Sequence, residues 1–461
     1  MKNTLMILIT LVVSFTTLNA QWFELVTPTI NYEIKSHSFI DLEISLEGEP
    51  YLLYDVEVPG EGWKLFVQKY NLANEEWGMV GEGPINDLSA TDNHIAMDSE
   101  DNVYVAYMKL GGGPWCTVKK FDGTEWIQIG EWVTGVIMSD VTMYCDNKDD
   151  VYISYYDTDY PGPIVKRYLG TGSDWETIGN ESFHPSGQCL CPAITTDNDG
   201  NLFVSYGGDD FMGGLPLSVK KFNGTSWEFV GANGFYDEPN YPTSIIVGND
   251  DVVHATTTDF WSLTSTVLSY LNNVWQPQTM NTYDNGGYLP FTNRNNDIFM
   301  GYCSSDNPYN KYKPLMAKLD ASGTWVDLPE QPGPYCTTTT WPMTYWDIEA
   351  DNFGNLYLSF LKGDHWNHHL AVIKLDITTG IAEMQKENSV IYPNPTSGTI
   401  NIKTQPDEIV HRVLVTDISG KLVFRDDNGN SIIDLSILEN GVYFVKLETN
   451  NGTHIEKIII Q

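Results

Sequence analysis

Carboxylates and aromatic rings recur together in several polar stretches, and these hold the residue types best suited to chemistry. The densest are Asp209-Asp210-Phe211-Met212, Asp259-Phe260-Trp261, Trp341-Pro342-Met343-Thr344-Tyr345-Trp346-Asp347 and Asp364-His365-Trp366-Asn367-His368-His369. This mixture suits carbohydrate. Ring faces pack on the apolar CH surfaces of sugars, while carboxylates and amides accept hydrogen bonds from hydroxyls. The candidate ligand-binding residues are therefore Asp209, Asp210, Phe211, Trp261, Trp341, Tyr345, Trp346, Asp364, His365, Trp366, His368 and His369. For any single ring, filling the gap between neighbouring repeats is the plainer reading.

The same acids offer a second chemistry. Asp209, Asp210 or Asp364, paired with a His or Tyr, would serve a glycan hydrolase or lyase if two carboxylates faced one cleft roughly 5–10 Å apart. His365 and His369 stand four apart, but they lie in a loop, where the zinc-helix spacing does not apply. Asp197-Asn198-Asp199-Gly200-Asn201 looks like half a calcium loop, yet it lacks the distal Glu and reads as turn chemistry. No cofactor or metal is expected, bound calcium being the one alternative. His94 begins an inner strand and is read as lining the channel or the core.

What is missing narrows the field. The chain carries only Arg167 and Arg294 before its last eighty-odd residues, too few for the arginine cluster that grips a substrate carboxylate. No Gly-x-Ser-x-Gly elbow, phosphate loop or dinucleotide fingerprint occurs. The formal charge of -36 argues against nucleic acid or an anionic membrane as partner. With 41% hydrophobic and 13% aromatic residues in 461, the chain is globular rather than disordered.

The elements that must position these loops are written as a repeat. Lys119-Lys120-Phe121-Asp122-Gly123-Thr124-Glu125-Trp126 returns as Lys220-Lys221-Phe222-Asn223-Gly224-Thr225-Ser226-Trp227. Looser copies hold Trp77, Trp175, Trp275 and Trp325, and a fragment holds Trp22. A period near fifty marks a repeat architecture. Upstream of each tryptophan, a short Asp/Asn/Gly run sits between Val-, Ile- and Tyr-rich runs, as in Asp98 to Tyr107 and Asp146 to Tyr155. Four antiparallel strands per repeat make a propeller blade. Six blades end at Trp77, Trp126, Trp175, Trp227, Trp275 and Trp325. A seventh, with strands at Ile348–Asp351, Asn355–Phe360 and Ala371–Asp376, lacks its tryptophan strand, and the segment from Trp22 to Val26 fits the vacancy. The expected fold is all-β: a seven-bladed propeller closed by its N-terminal strand, followed by a small Ig-like β-sandwich. The fifth blade departs most, with a shortened turn and His254 where Tyr or Phe is usual.

Residues 1–20 read as a secretory signal peptide, with Lys2, an apolar run and Leu18-Asn19-Ala20 ahead of a cleavage point. No later segment is apolar enough to span a bilayer. In an exported chain the six cysteines permit disulfides. Cys303 with Cys336 is the expected pair, Cys116 is the expected partner of Cys189 or Cys191, and Cys145 is expected to be a buried free thiol. The propeller is placed at 21–377, a linker at 378–390 and the sandwich at 391–461.

That last region opens Tyr392-Pro393-Asn394-Pro395-Thr396-Ser397-Gly398. It continues through Asp417-Ile418-Ser419-Gly420-Lys421 and Gly441-Val442-Tyr443 to the Lys457 strand. By physics alone it is a small sandwich. It also resembles the C-terminal sorting domain of the type IX secretion system of Bacteroidota. The resemblance rests on Tyr392, Pro393, Asn394, Pro395, Gly398, Asp417, Gly420, Gly441, Tyr443 and Lys457. It implies handling by the type IX machinery, passage across the outer membrane, and release or attachment at the cell surface. The propeller has a general likeness to kelch-like propellers, which carries no activity. Taken together, the sequence points to an exported propeller that binds glycan or a surface protein without catalysis, a glycan-active enzyme being the alternative.

Overall fold

The computed structural model describes residues 21–461 except 29, 31, 33, 36–37, 112–114, 134–137, 147, 158–159, 169–174, 180–188, 209–215, 237–239, 249, 260–264, 279–290, 295–296, 307–310, 321–322, 329–345, 365–366, 377–389, 404–409, 418–421, 427–429, 439 and 450–451. The chain forms two compact units, Met1–Gly380 and Ile381–Gln461.

In the first unit the described strands make seven four-stranded antiparallel sheets. Their inner strands are Ile40–Ile44, Ala90–Met97, Met138–Cys145, Cys189–Thr196, Asn240–Val247, Phe291–Arg294 and Trp346–Ala350. Each inner strand lies beside that of the next sheet, and Trp346–Ala350 returns to Ile40–Ile44, so the sheets form a closed propeller. The N-terminal strand Gln21–Glu24 pairs with Asn367–Asp376 and supplies the outer strand of the last sheet. An ion pair of 2.6 Å between Glu24 and Lys362 lies at the same edge.

The repeated motif has a physical account residue by residue. Lys119 reaches the Ile85 carbonyl of the link before its sheet, at 2.7 Å. Lys120, on the opposite face, lies over the Tyr104 ring and 3.9 Å from the Asp98 carboxylate. Phe121 pairs in register with Trp126, their ring centroids 5.4 Å apart. Between them Asp122 accepts from the Thr124 and Glu125 amides at 2.8 Å each, closing the turn at Gly123. Trp126 then crosses to the preceding sheet, where its Nε1 donates to the Val80 carbonyl at 2.9 Å. Trp227 does the same to Ile178 and Trp275 to Val230. Each ring lies on a glycine of positive φ, Gly81, Gly179 or Gly231, where a Cβ would stand 2.8–3.0 Å from the indole. The tryptophans therefore stitch sheet to sheet, leaving no polar end unpaired at these three joints.

The turns between inner and second strands are equally rule-bound. Asp98 accepts from the Glu100 and Asn102 amides and from the Tyr104 hydroxyl at 3.0 Å. Asp351 repeats the pattern with Asn355 and Tyr357. Asp197 accepts from the Asp199 and Asn201 amides and from Lys221, the side-chain capping expected of turn chemistry. In the fifth sheet the turn is not shortened as expected, since Gly248 bonds Val252 and Asp251 as Asp98 bonds Asn102 and Asp101, but both halves of the side-chain cap are gone together. Gly248 stands for the Asp, and His254 turns away to the Ser269 hydroxyl at 2.7 Å.

The second unit pairs a three-stranded sheet (Val390–Tyr392, Thr399–Lys403, Ile432–Asp434) with a four-stranded one (Leu422–Asp426, Val410–Asp417, Gly441–Thr449, Gly452–Ile460). Ile400, Val413, Val415, Val445, Leu447 and Ile458 are fully enclosed in its core. Asn394 ties the opening motif to the last strand, donating to the Lys457 carbonyl at 2.7 Å and accepting from the Ile459 amide at 3.0 Å. Gly398 has φ +125, and a Cβ there would meet the Ser436 Cα at 2.9 Å. Tyr443 is half-buried and Lys457 exposed; Asp417 ends a strand, and Gly420 lies outside the described residues.

Candidate functional site

One cavity of about 460 Å³ touches the inner strands of all seven sheets and is the axial channel. The inner strands enter at the end reached by the links from the preceding sheets, so their first channel-facing residues form its head. Aligned on the turns, these positions are Asp41, His94, Thr142, Ala193, Ser244 and Asp347. In the second to fifth sheets a shift in register falls just before that position, between Thr91 and His94, Ser139 and Thr142, Leu190 and Ala193, and Pro242 and Ser244. A bulge re-aims the side chain that follows it, so four sheets turn a residue to the channel head by one device. The first and last sheets pair there without a shift and supply carboxylates.

Asp41, Asp347 and His94 come together. The Leu42 amide nitrogen is 3.1 Å from a carboxylate oxygen of Asp41 and 3.1 Å from one of Asp347. The second Asp41 oxygen accepts from the Ile95 amide at 3.0 Å and lies 3.4 Å from His94 Nδ1. The two carboxyls thus meet at one backbone donor. Burial first, then the Asp41 and Glu349 charges, hold the Asp347 carboxyl well above the usual carboxylate range. Its remaining surface opens onto the channel rather than bulk water. Deeper in, Glu43 and Glu349 line the same wall, Glu349 accepting from the Thr292 hydroxyl at 2.9 Å. Tyr144, Thr142 and Ser244 line it from the third and fifth sheets, while the Phe291 ring, on the strand next to Glu349, stacks on Trp325 at 5.8 Å. Among the described lining residues there is no Lys or Arg.

A buried support stands behind His94. Asp55, 6% exposed, accepts from the Phe39 amide at 2.8 Å and from Asn93 Nδ2 at 3.2 Å. The Phe39 ring meets the His94 ring edge-on, centroids 5.6 Å apart. Burial pushes the Asp55 carboxyl up to about 7 against these donors.

The sequence candidates fall elsewhere. Asp209, Asp210, Phe211, Trp261, Trp341, Tyr345, His365 and Trp366 lie outside the described residues; of Trp346, Asp364 and His368 the backbone alone is described. The stretch expected as a loop from Asp364 to His369 is instead a hairpin tip. Strands Asn355–Asp364 and Asn367–Asp376 run on past the expected ends and leave 365–366 between them. Asp364 pairs with Asn367, and His368 and His369 sit in a strand. His369 is exposed.

Cys116 corrects a second expectation. It is fully buried and free rather than bonded to Cys189 or Cys191, and burial pushes its thiol up. Cys145 is also free, but half-buried and lining the channel. Cys336, and the side chains of Cys189, Cys191 and Cys303, lie outside the described residues.

Two larger clefts open at the outer rim, of about 980 and 610 Å³. They occupy equivalent places in the repeat, Trp77 to Gly81 with Phe121 to Thr124 in one and Glu176 to Gly179 with Phe222 to Thr225 in the other. A cleft that recurs with the blade follows from wedge geometry and singles out no chemistry.

Asp41, His94 and Asp347 share one column of the repeat alignment, and that column was the signal for them. Only His94 was picked out beforehand, because His in an inner strand is unusual while an alternating acid looks like any strand polar.

Residues 390–461 match the family described as the secretion system C-terminal sorting domain. The tail is a sorting domain. It implies export by the type IX system and a surface or secreted location. Among the described residues no helix is long and apolar enough to cross a membrane. No curated protein matches the chain. Similar solved structures include an ulvan lyase, a polysaccharide lyase, at 10% identity and TM-score 0.49, covering 76% of this chain and 94% of that one. An alpha-L-arabinanase of Penicillium chrysogenum follows at 10% and 0.44, covering 78% and 98%. PorZ of Porphyromonas gingivalis, a surface component of the type-IX secretion system, stands at 12% and 0.43, covering 94% and 61%. None transfers an activity to this chain.

Proposed function

We propose that this exported cargo is a binding protein that takes a neutral, hydroxyl-rich sugar unit at the head of its axial channel and leaves it intact. The lining carries the reading: acceptor carboxylates Asp41, Asp347 and Glu43 and the hydroxyls of Thr142 and Tyr144, with no Lys or Arg among the described lining residues. Sugar hydroxyls donate to carboxylates in strong charge-assisted bonds. Uronates and sulfated glycans would be repelled by the same wall and by the overall charge of -36.

A catalytic reading draws on the elevated Asp347 proton affinity beside Asp41, the pattern that separates an acid from a base. Geometry favours binding instead. Glycosidase carboxyls stand apart with room for sugar or water between them, whereas Asp41 and Asp347 are both engaged on one backbone donor, each 3.1 Å from the Leu42 amide. The test is a screen of the purified exported chain on neutral, uronate and sulfated oligosaccharides, with product analysis on each. Retention of a neutral sugar with unchanged products supports the reading. Shortened or unsaturated products, or preference for uronates, would overturn it.

A further inference from the structure

The joint between the first and last sheets closes the ring, and among the described residues it is the one joint where two Asp carboxylates meet at a single backbone donor. We propose that this seam is a proton-operated latch: a proton held between Asp41 and Asp347 keeps strands Ile40–Ile44 and Trp346–Ala350 packed at the channel head, and its loss loosens them. The geometry is that of a latch. The Leu42 amide crosses to Asp347 at 3.1 Å, so a seam backbone bond depends on the carboxyl that must share the proton. No Lys or Arg stands among the described residues lining the channel around Asp347. Asp41 and Glu43 come from the first sheet and Glu349 from its own strand; the neighbouring strands offer the uncharged Thr292 and Ser359. His94 stands 3.4 Å from Asp41.

The raised proton affinity of Asp347 fixes the sign. A carboxyl whose folded affinity exceeds its unfolded one stabilises at low pH, and that stabilisation is lost as pH rises through the folded value. With both acids ionised, two charges crowd one amide in a channel that Glu43 and Glu349 also line. The inference concerns the unliganded chain and stands whether or not the channel binds sugar.

Amide hydrogen exchange on the full exported chain, read at about pH 5, 7 and 9 and corrected for intrinsic rates, tests it. Peptides spanning residues 40–44 and 346–350 should lose protection by roughly tenfold or more relative to the strand Val103–Lys109 as pH rises. In Asp347→Asn that loss should vanish, since an amide can donate to Asp41 at any pH. Asp41→Asn serves as the second variant and should behave alike. Protection at the seam that is independent of pH in the natural chain, or an equal loss in both variants, would overturn the latch.

Discussion

Asp41 and Asp347, drawn from the two ends of the propeller sequence, converge on a single donor, each with an oxygen 3.1 Å from the Leu42 amide. Like charges in contact cost stability, so this arrangement should be tunable. At pH 8 the Asp347→Asn chain is expected to be more stable than the natural one, by on the order of 1 kcal/mol. Denaturant unfolding of the propeller checks this; a less stable variant at that pH would show that the carboxylate supports the fold.

The Trp227–Gly179 joint tests the stitching of sheets. Gly179 has φ +81, and an added Cβ would lie 2.8 Å from the indole. Gly179→Ala is expected to cost roughly 2–4 kcal/mol, from strain and from displacement of the ring. Gly123→Ala, with positive φ but open space around it, should cost less. Thermal melts of the two variants decide the order.

Two buried groups should pull the stability curve in opposite directions. Asp55 is held up near 7 by burial, so its contribution is full below about pH 4 and is lost as pH rises toward 7. His254 is pushed down to about 4 by burial, so the folded chain resists a proton that the unfolded chain accepts, and stability falls as pH drops from about 6.5 toward 4. Asp55→Asn should flatten the first slope and His254→Phe the second, each worth on the order of 2–4 kcal/mol across its window. Melts across pH 4–8 read both.

Much of the fold was legible because packing repeats. A tryptophan that must cross to a glycine of the previous sheet fixes the interval between Trp126, Trp175 and Trp227. An Asp that must cap its own turn fixes Asp98, Asp146 and Asp351. The propeller, its closure by the Trp22 strand and the sandwich all followed from such positions. The site was less legible. Its acids sit in ordinary strand alternation, and only closure of the ring brings Asp347 to Asp41. Cys116 was misread because burial between sheets, which encloses its thiol, leaves no mark in spacing. The strand ends beyond Phe360 were missed because Lys362, Gly363 and Asp364 are polar, whereas hairpin pairing depends on backbone bonds.

The sorting tail makes its own prediction. Removing residues 390–461 should leave the chain inside the cell envelope, and Gly398→Val should do the same by forcing Ser436 aside. Fractionation of the producing cells checks both. Normal release of the truncated chain would contradict the assignment of export to the tail.

The most direct test of the central claim is calorimetric titration of a neutral oligosaccharide, chosen from the screen, into the full exported chain and its variants. Asp41→Ala and His94→Ala are expected to weaken binding tenfold or more, about 1.4 kcal/mol or beyond, with a fold unchanged by circular dichroism. Equal affinity in both variants, with binding lost instead in Trp366→Ala or Trp341→Ala, would move the site from the channel head to the loops and contradict the account.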